Sequence, residues 1–106
     1  MTKEEREKMF FLFKEIWDER EDVMGYVYCY ETGVAMHGNF YRSNIACYDH
    51  ILEKSKYPQY TFNKKNILII HPDVHSQRHL NIDKCPNIKK YREKLIDMYY
   101  EDKLWL

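Results

Sequence analysis

The chain has 106 residues, of which 44% are apolar and 32% are charged, as expected for one globular domain. No apolar run approaches the roughly 20 residues that span a bilayer, and the N-terminus lacks the apolar core of a signal peptide, so we expect no membrane partner. The three cysteines are an odd number at irregular spacing, which predicts reduced thiols and a cytoplasmic location.

The charges sum to zero but are unevenly placed. Residues 1–22 hold five Lys or Arg and eight Asp or Glu, a net charge of −3. Residues 49–94 hold ten Lys or Arg and five Asp or Glu, a net charge of +5. The basic segment favours a polyanionic partner that contacts this part of the protein and is not attracted by the charge of the whole chain. A solvated surface of mixed charge is the alternative interpretation.

The first predicted element is a helix over residues 3–20, within an N-terminal segment 1–22. Thr2 and Glu5 have the spacing of a capping box. Apolar side chains then recur at helical spacing, and they are Met9, Phe10, Phe13, Ile16 and Trp17. We interpret this aromatic stripe as core or docking surface, with a partner-binding helix as the alternative.

A β-hairpin is predicted next. Residues 26–30 are aromatic and β-branched, as is typical of a strand. Thr32 and Gly33 supply a turn, because glycine tolerates positive φ. Residues 34–41 are predicted to return as the second strand.

The centre of the chain predicts strand, loop, strand and helix in that order. Residues 44–52 are expected to form the first strand, and the polar, lysine-rich segment 53–65 a loop. The apolar residues 66–70 have the length and composition of a second strand. Pro72 suits the first turn of a helix, which is predicted over residues 73–80.

The last predicted element is a helix that begins at Pro86. Its apolar stripe ends near Trp105 and comprises Ile88, Tyr91, Leu95, Met98 and Tyr99. We expect the two terminal helices to pack around the central segment, which has little core of its own.

Five polar residues fall within the central segment at a characteristic spacing. Asp49 and His50 are adjacent, Asn66 follows after fifteen residues, His75 after eight more, and His79 after a further three. The two last histidines lie one helical turn apart. This pattern, D-H-x15-N-x8-H-x3-H, resembles the HNH endonuclease family in its H-x3-H form. The resemblance is close over about thirty residues and looser from Cys29 onward.

The resemblance implies an α+β fold with one domain over residues 1–106. A hairpin and a ββα-metal core would occupy residues 26–80, between the N-terminal helix and a C-terminal helix over residues 86–104. This agrees with the predicted order of strand, loop, strand and helix.

The resemblance also implies a site for one divalent cation. Asp49, His75 and His79 would be its ligands, a set of one carboxylate and two imidazoles. This set does not select one ion, since Mg²⁺ prefers oxygen, Zn²⁺ accepts nitrogen, and Mn²⁺ and Ni²⁺ lie between. The Asp at position 49 differs from the His of the bacteriocin enzymes, although Asp is frequent elsewhere in the family.

Three further residues acquire roles from the resemblance. His50 would be the general base, which suits an imidazole whose ordinary pKa lies near neutrality. In a regular strand Asp49 and His50 face opposite ways, and a local distortion in this family lets both serve one site. Asn66 would orient the loop and the His50 ring, and Arg78 would contact a phosphate.

A degenerate zinc site near Cys29 is a separate hypothesis. Many HNH proteins carry paired cysteines there, but only Cys29 remains of the first pair, and the second pair would fall at His71 and Val74. Cys29 and His71, with His37 or Cys47, would be the ligands. Buried, unreactive cysteines are the simpler interpretation.

The function implied by the resemblance is metal-dependent hydrolysis of DNA phosphodiester bonds. RNA is a less favoured substrate, because no RNA-binding pattern occurs. The alternative is a catalytically silent HNH-fold module that binds nucleic acid or a protein. A homodimer or a protein partner stays open, because the chain has no second recognition module. Compact proteins of this type occur in bacteria and their phages.

Overall fold

The computed structural model describes residues 1–101, and it combines helices with two small antiparallel sheets. The predicted α+β class is confirmed. The elements in chain order are α1 (Lys3–Arg20), β1 (Tyr26–Tyr28), β2 (Ala35–His37), α2 (Gly38–Tyr41), β3 (Tyr48–His50), β4 (Ile67–Ile69), α3 (Pro72–Leu80) and α4 (Pro86–Tyr100). Within this range no helix is both long enough and apolar enough to cross a bilayer.

Helix α1 begins and ends where the sequence predicts. The Thr2 hydroxyl accepts the Glu5 amide, and the Glu5 carboxylate accepts the Thr2 amide, which completes the capping box. Four stripe residues are buried in the core, namely Met9, Phe13, Ile16 and Trp17. The fifth, Phe10, is 36% exposed and lies at the edge of this buried face.

The first hairpin is shorter than predicted. β1 and β2 pair antiparallel from Tyr26 opposite His37 to Tyr28 opposite Ala35. The prediction of a strand through residue 41 is wrong, because the chain turns into α2 directly after His37. Gly38 packs against the Trp17 indole, where a Cβ atom would lie only 3.2 Å from Nε1. The His37 ring caps α2, because its Nδ1 accepts the Asn39 amide.

The second hairpin and α3 give the predicted order of strand, loop, strand and helix. β3 pairs antiparallel with β4, with His50 opposite Ile67. The strands are shorter than the predicted 44–52 and 66–70, because single turns of 3₁₀-helix end at Cys47 and Asn66. Helix α3 begins at Pro72, in the first-turn position expected for proline.

Helix α4 starts at Pro86 as predicted, and its stripe residues Ile88 and Leu95 are buried. Its predicted end at residue 104 and Trp105 lie outside the described residues. The first turn has no side-chain cap of its own. Instead, the Glu31 carboxylate from the first hairpin accepts the amides of Asn87 and Ile88.

Replacing Glu31 with alanine should lower the free energy of unfolding by roughly 1–2 kcal/mol, since the carboxylate satisfies two helix amides and complements the helix dipole. Urea denaturation monitored by circular dichroism would measure the change. Glu93→Ala is the matched control, because Glu93 is exposed in the middle of α4. Equal losses in the two variants would contradict the capping role.

Candidate metal centre

Three metal-competent side chains meet between β3 and α3. They are Asp49 on the strand, and His75 and His79 on the helix. One potential ligand atom from each lies within 4.8 Å of the other two. Since His75 and His79 are four residues apart, their rings stack on one face of α3, with centroids 4.7 Å apart. Within residues 1–101, no other three His, Cys, Asp or Glu side chains converge in this way.

Asp49 is an unusual carboxylate because it is 1% exposed. Its Oδ2 lies 3.2 Å from Arg78 Nε, yet neither atom has a hydrogen-bond partner within the described residues, so the contact is an ion pair without a directed hydrogen bond. Burial raises the pKa of the Asp49 carboxyl, and the charge of Arg78 opposes that rise. An acceptor oxygen that is buried without a hydrogen bond is suited to a cation.

The backbone fixes the orientation of the His75 ring. His75 Nδ1 lies 2.7 Å from the Ala46 carbonyl oxygen, which can only accept, so Nδ1 carries the proton. In the neutral ring, Nε2 then presents a lone pair 3.5 Å from Asp49 Oδ1. Two electron-pair donors at this distance need a proton or a metal ion between them. A histidine held by a carbonyl through its other nitrogen is the usual arrangement of a metal ligand.

His79 completes the group on its outer side. Its side chain is exposed, which leaves room for water or substrate beside the two inner ligands. Partial burial lowers the pKa of His79, and the neighbouring His75 lowers it further, so the neutral ring that binds metal is favoured. The buried Asp49 carboxylate, the oriented His75 ring and the stacked His79 ring therefore fit a divalent cation.

His50 is the last residue of β3, and its tautomer is also set by the backbone. Its Nε2 lies 2.9 Å from the Thr61 carbonyl oxygen, so Nε2 is the donor and Nδ1 keeps its lone pair. Burial lowers the pKa of His50, although the Thr61 contact and the Asp49 charge oppose the decrease. The ring is therefore mostly neutral at pH 7 and able to accept a proton at Nδ1.

The local distortion expected around Asp49 and His50 is absent from the pairing of β3, which runs in continuous register from Tyr48 to His50. The Phe13 ring contacts both Tyr48 and His50, as alternate residues on one face of a strand. Asp49 faces α3 on the other side. His50 is therefore the sequence neighbour of a metal-competent residue, with its ring on the α1 side of the strand.

Asn66 is fully buried and ties the ends of the loop between β3 and β4. Its Oδ1 accepts the Leu52 amide at 2.6 Å, and its Nδ2 donates to the carbonyls of Leu52 and Tyr60 at 3.1 and 3.2 Å. Tyr60 precedes Thr61, whose carbonyl holds the His50 ring. These are the contacts that the predicted positioning role requires.

Arg78 points into the protein, toward Asp49 and the end of β3. Its side chain is 13% exposed, and Nη2 donates to the carbonyls of His50 and Ile51 at 3.0 Å each. With Nε beside Asp49, the guanidinium braces the end of β3 against α3. A positioning role fits these contacts better than the predicted phosphate contact.

The residues of the hypothetical zinc site have other partners. The Cys29 thiol accepts the His71 amide, and the His71 and His37 rings each cap a helix through Nδ1. Burial raises the pKa of the Cys47 thiol to about 11, which disfavours the thiolate that zinc needs. Within residues 1–101, these four residues form no group of three, and the interpretation of buried thiols holds.

Sequence reasoning missed the carbonyls of Ala46 and Thr61, which set the tautomers of His75 and His50. No sequence signal could have identified them, because any residue supplies the same backbone oxygen.

Comparison of the chain with protein-family models, curated proteins and solved structures gives no match.

Proposed function

We propose that the protein is a metal-dependent endonuclease of the HNH type that hydrolyses phosphodiester bonds in DNA. The observation that carries the proposal is the group of Asp49, His75 and His79, with His50 next to Asp49 in β3. Carboxylate and imidazole ligands next to a neutral imidazole are the parts that phosphodiester hydrolysis needs.

In the proposed reaction, His50 Nδ1 takes a proton from the attacking water. The Thr61 carbonyl keeps the other ring nitrogen protonated, and Asn66 holds the loop that carries this carbonyl. Arg78 fixes the end of β3 and offsets the Asp49 charge. A divalent cation bound by Asp49, His75 and His79 would polarise the phosphate and stabilise the departing oxygen.

The choice of DNA rests on charge and on the resemblance of the motif. The segment 49–94 carries a net charge of +5, and the exposed Lys54 is near enough for its charge to lower the pKa of His50. Part of the positive charge is used internally, because Lys64 pairs with Glu15 and Glu19 on α1. We therefore expect a modest affinity for DNA that decreases as the salt concentration rises. The unpaired, buried cysteines support a cytoplasmic location.

A catalytically silent binding module is the second candidate. The observation in its favour is exposed aromatic surface on the helices, since Phe11 is 75% exposed and Phe40 is 79% exposed. Isolated exposed apolar residues are common on soluble proteins, so this observation has less weight than the converging ligands.

Plasmid cleavage by EDTA-treated protein tests the proposal. We expect relaxation or linearisation of supercoiled DNA only after Mg²⁺, Mn²⁺, Ni²⁺ or Zn²⁺ is added, and renewed loss of activity with excess EDTA. Folded protein that binds metal but cleaves no DNA with any of these ions would favour the binding module.

A separate prediction concerns metal binding and does not depend on DNA cleavage. A saturating ion should stabilise the wild-type protein, by about 2.7 kcal/mol at a hundredfold excess over Kd. Asp49→Asn should lower metal affinity at least about tenfold, as measured by calorimetry and thermal unfolding. Asp73→Asn is the control, because Asp73 is exposed in the first turn of α3. Equal metal affinity in both variants would exclude Asp49 as a ligand.

A further inference from the structure

An apolar pocket opens beside His50, on the side of β3 that faces α1. Its volume is about 440 Å³, within the range of small-ligand sites. Met9, Phe10 and Phe13 of α1 form one wall, and Ile45 forms another. The proposed general base therefore lines this pocket, and its neighbour in β3, Asp49, belongs to the metal-competent group.

The pocket has a rigid floor and an accessible mouth. Phe13 stacks flat on Tyr48 with ring centroids 4.4 Å apart, and it packs at an angle against His50. At the mouth, Ile45 is 63% exposed and Phe10 remains partly exposed. A flat apolar ligand would cover this surface without rearrangement of the core.

A cation lines the pocket. Arg6 is exposed, and its side chain makes no ion pair within residues 1–101. An apolar slot with a guanidinium group at its rim matches a nucleotide, which joins a flat base to an anionic phosphate.

We infer that this pocket binds one unpaired nucleobase of the substrate, from a nucleotide next to the scissile phosphate. The inference rests on the proposed function and specifies its substrate. A base inside a duplex is stacked on both faces and cannot enter such a pocket. Single strands, bulges and other unpaired sites are therefore the preferred substrates, with Phe10 as the accessible stacking ring.

Cleavage of matched oligonucleotides tests the inference. With the ion that supports plasmid cleavage, kcat/KM should be at least tenfold higher for a single strand or a one-nucleotide bulge than for the perfect duplex. Phe10→Ala should reduce kcat/KM on the unpaired substrates by roughly 5-fold to 100-fold, the range expected for one base–aromatic stack. Phe11→Ala is the control, because Phe11 is the next residue on α1 and does not line the pocket.

Equal cleavage of duplex and unpaired DNA, or equal losses in the two phenylalanine variants, would contradict the binding of a nucleobase in this pocket. Neither result would contradict the proposed nuclease activity. If no DNA is cleaved, fluorescence anisotropy with the wild-type protein still decides. Preference for the single strand that falls in Phe10→Ala but not in Phe11→Ala supports the pocket, and absence of preference overturns it. A wild-type dimer that Phe10→Ala dissociates in light scattering would instead assign this surface to a second copy of the chain.

Discussion

His50→Ala should lower the rate of DNA cleavage about 10²- to 10⁴-fold while metal affinity stays within a factor of about three. The rate falls because Nδ1 is the only lone pair of this ring that is free to accept a proton, since Nε2 donates to the Thr61 carbonyl. Metal affinity should persist because the proposed ligands are Asp49, His75 and His79 and do not include His50.

The measurement pairs single-turnover cleavage with calorimetric titration of the same ion. His71→Asn is the matched control, since His71 is a histidine at the start of α3 whose ring caps the Asp73 amide. Asparagine is a strong N-cap residue and should preserve that contact. Loss of metal binding together with activity in His50→Ala would contradict the role of a base, and unchanged cleavage would remove His50 from the mechanism.

The bounds of the long elements could be predicted because local signals agree there. In α1, the capping box at Thr2 and the apolar stripe both specify the same helix, and the structure places it at Lys3–Arg20. In the hairpins, local signals were weaker. The strand predicted through residue 41 ends at His37, where Gly38 packs on Trp17, a contact between distant parts of the sequence.

The candidate site also combines features that the sequence predicts with features that depend on the tertiary fold. The resemblance of the spacing to the HNH motif selected Asp49, His75 and His79, and the fold brings their potential ligand atoms together. The same resemblance gave Arg78 a phosphate contact, but a basic residue on α3 can point outward to a phosphate or inward to a carboxylate. The buried Asp49 settles this direction, and its burial depends on the tertiary fold. The cap that Glu31 supplies to the amides of Asn87 and Ile88 in α4 joins residues 56 and 57 positions apart, so no local signal in the sequence predicts it.

Asn66→Ala should cause the largest loss of stability among these alanine variants, about 3–5 kcal/mol. The amide satisfies three buried backbone groups, which are the Leu52 amide and the carbonyls of Leu52 and Tyr60. Each buried polar group without a partner costs about 1–3 kcal/mol. The total free energy of unfolding of such a domain is only about 5–15 kcal/mol, so the variant would be close to unfolding at physiological temperature.

Urea denaturation at low temperature measures this effect. Asn44→Ala is the control, because Asn44 is exposed and makes one cap contact with the Ala46 amide, whose loss costs about 1 kcal/mol. Asn66→Asp keeps the acceptor for Leu52 but places a buried carboxylate against the carbonyls of Leu52 and Tyr60, so at neutral pH it should be at least as destabilising as Asn66→Ala. In the fraction that remains folded, cleavage should also fall, because the Tyr60 carbonyl is released next to the Thr61 carbonyl that holds His50. A folded Asn66→Ala protein with normal stability and full activity would show that the loop and the His50 ring are held by other contacts.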